Sequence, residues 1–124
     1  MRLAVLFVAA AALTAQTAAA QAPAAGDPVK GKAAFGACAM CHSAVAGKNG
    51  IGPSLFGVVG RQAGTAPGFT YSAAMKAAGA WTPDRLDAFI ASPQAVVPGT
   101  AMPFAGIKDA GKRADIVAYL GTLK

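Results

Sequence analysis

The chain has 124 residues, 55% of them hydrophobic but only 7% aromatic and 13% charged, with a formal net charge of +6. That length holds one domain at most, and two Cys with a single His cannot supply the four ligands of a structural zinc site or a dense disulfide framework. Much of the apolar fraction is alanine crowded into the first 25 residues, so the positive mean hydropathy overstates the core.

Met1-Arg2 provides a positive charge, residues 3–13 (LAVLFVAAAAL) are uninterruptedly apolar, and the small-residue stretch TAQTAAA follows. This order is that of a secretory signal peptide. The apolar run is about half of the roughly 20 residues a spanning helix needs, which favours cleavage over an uncleaved anchor. Ala18-Ala19-Ala20 meets the small-x-small requirement, so residues 1–20 are expected to be removed, 21–25 to form a linker and 26–124 to form the domain. Losing 20 of 124 residues, Arg2 among them, leaves 104 residues and a formal charge of +5 in an oxidising compartment.

Asp27-Pro28 reads as a helix N-cap with a first-turn proline, and Gly31 and Phe35 fall four apart on one face. Both Cys and the only His then fall together in CAMCH, residues 38–42. On a helix, residues three and four apart share a face, so Cys38, Cys41 and His42 can meet one planar ligand. The C-x-x-C-H spacing is that of c-type haem attachment, with two thioethers to the porphyrin and the imidazole on iron. A thioredoxin-like redox pair would be expected beside a β-α-β pattern, which is absent, and a simple disulfide leaves the adjacent His unexplained.

Farther along, YSAAMKAAGAW predicts a short helix capped by Ser72 and ended by Gly79. Thr82-Pro83-Asp84 opens another, with Leu86, Phe89 and Ile90 at i, i+3, i+4 and Pro93 as its stop. Ile116, Tyr119, Leu120 and Leu123 form a stripe near the end. No useful strand alternation appears, so the fold is expected to be all-α. A haem iron needs a sixth ligand, and His42 is the only histidine. Of the methionines, Met1 leaves with the leader and Met40 lies inside the attachment motif. Met75 suits a flexible gap-filler in the core. Met102, in a loop bracketed by Pro98 and Pro103 with turn residues Gly99 and Gly106, is the expected axial ligand.

The ordered set GDPVKGKAAF, CAMCH, GPSLFGVVGR, TAPGFTYS, Trp81, PGTAMPFAGIK and ADIVAYL resembles the class I c-type cytochromes, the group that contains mitochondrial cytochrome c and bacterial cytochrome c2. The resemblance runs from Gly26 to the C-terminus. It implies a small helical fold with crossing N- and C-terminal helices around one covalent haem c held through Cys38 and Cys41, with His42 and Met102 as the iron ligands. It also implies that the carbonyl preceding Pro53, or backbone near it, fixes the His42 ring. Arg61, Tyr71 and Trp81 would lie near a buried haem propionate, and Thr100 would bond within the Met102 loop.

The chain departs from its relatives in two respects. Ala37, Gln94, Ala95 and Ala101 stand where relatives often carry lysines that dock acidic partners. Phe89 and Met75 replace a Tyr and an Asn common in mitochondrial relatives, which makes the sixth-ligand side drier. The expected function is a soluble, monomeric periplasmic electron carrier. Its donor would be a cytochrome bc1-type quinol-oxidising complex or a periplasmic dehydrogenase, and its acceptor a terminal oxidase or photosynthetic reaction centre. A haem enzyme or gas-binding protein, the alternative, would need a labile sixth position and finds no second His for acid-base work. Export and the lack of a basic run with interleaved aromatics argue against nucleic acid. A permanent membrane anchor is not expected.

Overall fold

The computed structural model describes residues 25–124; the expected leader and most of the linker lie outside the described residues. Among the described residues six helices follow in order: α1 (Pro28–Ala34), α2 (Gly36–Ala39), α3 (Ala73–Lys76), α4 (Pro83–Ala91), α5 (Pro93–Val96) and α6 (Ala110–Gly121). Among the described residues the only β pairing is an isolated antiparallel bridge between Gln62 and Ala80, so the chain is all-α as the periodicity requires. No described helix is long and apolar enough to cross a membrane.

Local chemistry starts each longer helix. Asp27 Oδ1 accepts the Val29 and Lys30 N–H groups at 2.8 and 3.3 Å, opening α1 at Pro28. Thr82 Oγ1 accepts from Arg85 at 3.2 Å ahead of α4, and Asp109 Oδ1 from Lys112 at 2.9 Å ahead of α6. Each cap satisfies donors that the first turn leaves unpaired. Ser72 likewise caps α3, but that helix ends at Lys76 rather than at Gly79, which instead turns the chain toward the bridge with φ of 85°. Pro93 does follow the end of α4, yet it also begins α5, because a first-turn proline has no N–H to miss.

The terminal helices α1 and α6 cross at Gly31. A side chain there would collide with the Asp115 carbonyl and come within 2.8 Å of Tyr119 Cβ, so only hydrogen permits the approach. Alongside, Phe35 and Tyr119 meet edge to face at 5.3 Å, and the Asp27 N–H reaches Asp115 Oδ1 at 2.7 Å. α4 joins the pair through Arg113 Nε on Asp87 Oδ1 at 2.9 Å and the Ile107 N–H on the Ile90 carbonyl at 2.9 Å. The core collects Phe35, Leu86, Phe89, Ile90, Ile116 and Leu120, all buried. Leu123 lies beyond the end of α6, packs against this core, and accepts the Gly57 N–H through its carbonyl at 2.7 Å. The long irregular segment from residue 40 to 72 and the loop from residue 97 to 109 frame a cavity beside this core.

Candidate functional site

The cavity has a volume of about 270 Å³, and its walls are mostly apolar. Cys41 and His42 line it from the turn that follows α2, and Met102 lines it from the loop between α5 and α6. Pro53, Arg61, Tyr71, Trp81 and Thr100 line it as well. Eight of the nine residues singled out in the sequence therefore meet at one concavity, drawn from stretches up to 61 positions apart. The ninth, Cys38, lies one turn before Cys41 and packs half-buried against the core. The His42 and Cys41 N–H groups both reach the Cys38 carbonyl, at 2.9 and 3.1 Å, which closes the motif into a helical turn.

His42 is oriented by backbone. Its Nδ1 lies 2.7 Å from the Pro53 carbonyl oxygen, so Nδ1 carries the proton and donates while Nε2 keeps its lone pair. The contact is to the carbonyl of Pro53 itself. Of the two alternatives the sequence left open it is the nearby backbone, since the carbonyl before Pro53, on Gly52, accepts the Gly50 N–H at 2.9 Å. Gly52 is buried with its Cα hydrogen against the imidazole: a Cβ there would lie 2.7 Å from Nδ1 and 3.0 Å from Nε2. The ring thus has a close-fitting seat that any larger residue would fill.

Met75, Leu86, Phe89, Ile90 and Phe104 contribute apolar surface to the wall of the cavity that Met102 lines. Thr100 is buried, and its Oγ1 accepts the Met102 N–H at 3.3 Å, while its carbonyl accepts from Gln94 Nε2 at 3.0 Å. The loop that carries the thioether is thereby tied to itself and to α5. Trp81 is buried against Phe89, ring centroids 4.9 Å apart, and the Arg85 guanidinium sits 5.8 Å over its ring. The Tyr71 hydroxyl oxygen accepts the Ala66 N–H at 3.1 Å, which leaves its own proton available to a ligand. Arg61 donates from Nη1 to the Phe56 carbonyl at 3.0 Å and from Nη2 to the Ser54 carbonyl at 3.1 Å.

Burial pushes the Cys38 thiol above its ordinary value; nearby Cys41 adds to the rise and Lys112 opposes it. A redox C-x-x-C needs the reverse, a thiolate favoured at neutral pH. Among the described residues no cluster of three or more His, Cys, Asp or Glu offers a separate metal site. The donor set of one imidazole and a thioether facing one apolar cavity is the set that haem iron takes, and the Gly52 seat and the Pro53 carbonyl supply the orientation such a ligand needs.

Sequence reading missed Asn49 and Ser54. Asn49 Oδ1 accepts the Ser54 N–H at 2.9 Å and its Nδ2 donates to the Pro67 carbonyl at 2.9 Å. Ser54 is 3% exposed, and its hydroxyl donates to the Val45 carbonyl at 2.6 Å while accepting from the Phe56 N–H at 3.2 Å. A polar residue directly after the Gly52-Pro53 turn was the only signal that could have found them.

Comparison with known proteins identifies the family. The cytochrome c family model matches residues 28–124. Cytochrome c2 of Rhodopila globiformis is 54% identical over 101 residues, which cover 80% of this chain and 95% of that protein. Cytochrome c2 of Rhodomicrobium vannielii is 50% identical over 105 residues, covering 83% and 84% respectively. Among solved structures, cytochrome c2 from Rhodospirillum centenum aligns with a TM-score of 0.74 at 42% identity, covering 79% of this chain and 98% of that one. Cytochrome cH from Methylobacterium extorquens aligns with a TM-score of 0.73 at 46% identity, covering 78% and 99%. The chain belongs to the cytochrome c family, as an electron-transfer protein rather than an enzyme, with Cys38 and Cys41 for one covalently bound haem c.

Proposed function

We propose that the protein is a periplasmic electron carrier whose haem would be held entirely by its own chain. Cys38 and Cys41 would hold the porphyrin as thioethers, and His42 and Met102 would be the iron ligands. When bound, the haem supplies a one-electron Fe(III)/Fe(II) couple. The residues around it set its surroundings. The Pro53 carbonyl holds the His42 ring, Thr100 holds the Met102 loop, and Arg61, Tyr71 and Trp81 form the polar part of the cavity wall, suited to a carboxylate of the cofactor in a low-dielectric site. The observation that carries this reading is His42, fixed through Nδ1 at 2.7 Å, sharing one apolar cavity with Met102.

The N-terminal pattern of charge, apolar run and small residues supports export, with cleavage after Ala20 and a domain over residues 26–124. Relatives named cytochrome c2 support a diffusing carrier that serves membrane complexes. On this reading the donor is a cytochrome bc1-type quinol-oxidising complex or a periplasmic dehydrogenase, and the acceptor a terminal oxidase or photosynthetic reaction centre. The formal +5 of the cleaved chain favours acidic partner surfaces. Stopped-flow reduction by a purified bc1-type complex tests this, with rates expected to fall as ionic strength rises. Failure to exchange electrons with any quinol-oxidising complex, dehydrogenase, oxidase or reaction centre would refute the carrier role.

A further inference from the structure

Arg61 lines the cavity, yet both of its terminal nitrogens bond to backbone. They reach the carbonyls of Ser54 and Phe56, at 3.1 and 3.0 Å, in the loop that follows Pro53. The peptide unit between Pro53 and Ser54 contains two groups at once: the Pro53 carbonyl that receives the His42 Nδ1 proton at 2.7 Å, and the Ser54 N–H that Asn49 Oδ1 accepts at 2.9 Å. A peptide unit is planar, so holding its N–H fixes the direction of its carbonyl. Asn49 is itself tied down through Nδ2 to Pro67 at 2.9 Å. The next peptide unit, between Ser54 and Leu55, is held by Arg61 at its carbonyl and by the Ser43 carbonyl at its N–H, at 2.8 Å. The buried Ser54 hydroxyl, bonded to Val45 and Phe56, stops the backbone between the two planes from rotating.

We infer that Asn49 and Arg61 are positioning residues for His42: they clamp the peptide planes on either side of Ser54 and so aim the Pro53 carbonyl at Nδ1. This inference rests on His42 being an iron ligand, and it gives Arg61 a role separate from its charge. The strength of the Nδ1–H bond sets the electron donation of the imidazole to its metal, so the clamp couples two remote side chains to the iron.

The test follows exchange of the His42 Nδ1 proton with deuterated water by NMR in the reduced holoprotein, with the Ile116 and Leu120 amides of α6 as reference for global opening. Four variants are compared: Asn49→Asp, Asn49→Leu, Arg61→Lys and Arg61→Met. Asn49→Leu and both Arg61 variants are expected to accelerate Nδ1 exchange by roughly tenfold or more, without moving the α6 amides. Lysine cannot grip two carbonyls as a planar guanidinium does, so Arg61→Lys should accelerate exchange as Arg61→Met does although it keeps the charge. Asn49→Asp keeps an acceptor for the Ser54 N–H but loses the Nδ2 donor to the Pro67 carbonyl, so its exchange should fall between that of wild type and that of Asn49→Leu.

Wild-type exchange in Arg61→Lys beside fast exchange in Arg61→Met would overturn the clamp and assign Arg61 to charge. Equal exchange in Asn49→Leu and wild type, or acceleration that tracks the α6 amides, would overturn it as well. The Asn49 pair leaves charge at position 61 untouched, so it decides the matter even where an Arg61 variant does not yield holoprotein. A wild-type protein without a low-spin His-ligated spectrum would instead refute the assignment of His42 on which the inference stands.

Discussion

Replacing Gly31 with Ala sets two effects against each other, and the structure decides which one wins. In an exposed helix the change stabilises by about 1 kcal/mol through backbone entropy. At Gly31 the added carbon would fall into the Asp115 carbonyl of α6 and within 2.8 Å of Tyr119 Cβ, against ordinary carbon contacts of roughly 3.5–4.0 Å. The obstacle is helix backbone, so no rotamer change relieves it and the two helices must part. Overpacking of this kind costs about 1–3 kcal/mol. Parting the helices also weakens the Asp27 N–H bond to the Asp115 carboxylate, a charge-assisted bond of about 1.5–3 kcal/mol, and the Phe35–Tyr119 edge contact of about 0.5–1.5 kcal/mol. With those contacts only half lost, the net effect is a loss of about 1–4 kcal/mol, or on the order of 10 °C in melting temperature for a domain of this size. Gly36 is the control: it is helical and exposed, and a Cβ added there would meet nothing within 4 Å, so Gly36→Ala should be neutral or stabilise by up to about 1 kcal/mol. Guanidinium unfolding of the ferric holoproteins, followed by far-UV circular dichroism, measures both. A Gly31→Ala variant as stable as wild type would refute this picture of how α1 and α6 meet.

Three further outcomes are expected. Thr82→Ala removes the acceptor for the Arg85 N–H and should cost about 1 kcal/mol in the same unfolding assay without changing the visible spectrum. Gly52→Ala places a methyl into the His42 seat, so the ring must tilt away from the Pro53 carbonyl; the reduction potential should move, as measured by equilibrium redox titration, whereas an unchanged potential would show that the seat is loose. Phe89→Tyr puts a hydroxyl into the apolar wall of the cavity that Met102 lines, and the alkaline loss of the methionine-to-iron band should shift to lower pH in a spectrophotometric titration.

The features legible in the sequence are those with local causes. Asp27, Ser72 and Thr82 cap helices because a short side-chain acceptor reaches only its own first turn, and the i, i+3, i+4 pattern of Leu86, Phe89 and Ile90 marks a buried face directly. CAMCH was legible for the same reason, since one helical turn brings its three donors together. The distant partners were not. The bonds of Arg61 to Ser54 and Phe56, and of Asn49 to Pro67, end on backbone carbonyls, which every residue carries, so no residue type at those positions announces them. The same holds for Gly31 over Asp115, where the partner is a carbonyl 84 positions away. Met75 was legible as an apolar filler, and the structure adds that it lines the cavity wall.

The proposal that one covalent haem c sits between His42 and Met102, with no open position on iron, stands or falls on a single spectroscopic experiment. Visible and near-infrared spectra are recorded on the purified holoprotein, oxidised and then reduced under carbon monoxide at neutral pH. The expected result is haem that stays with the denatured polypeptide, a methionine-to-iron band in the ferric protein that Met102→Ala abolishes, and a ferrous spectrum that carbon monoxide leaves unchanged. A ferrous protein that binds carbon monoxide readily, from a ferric form that lacks the methionine band, would contradict it.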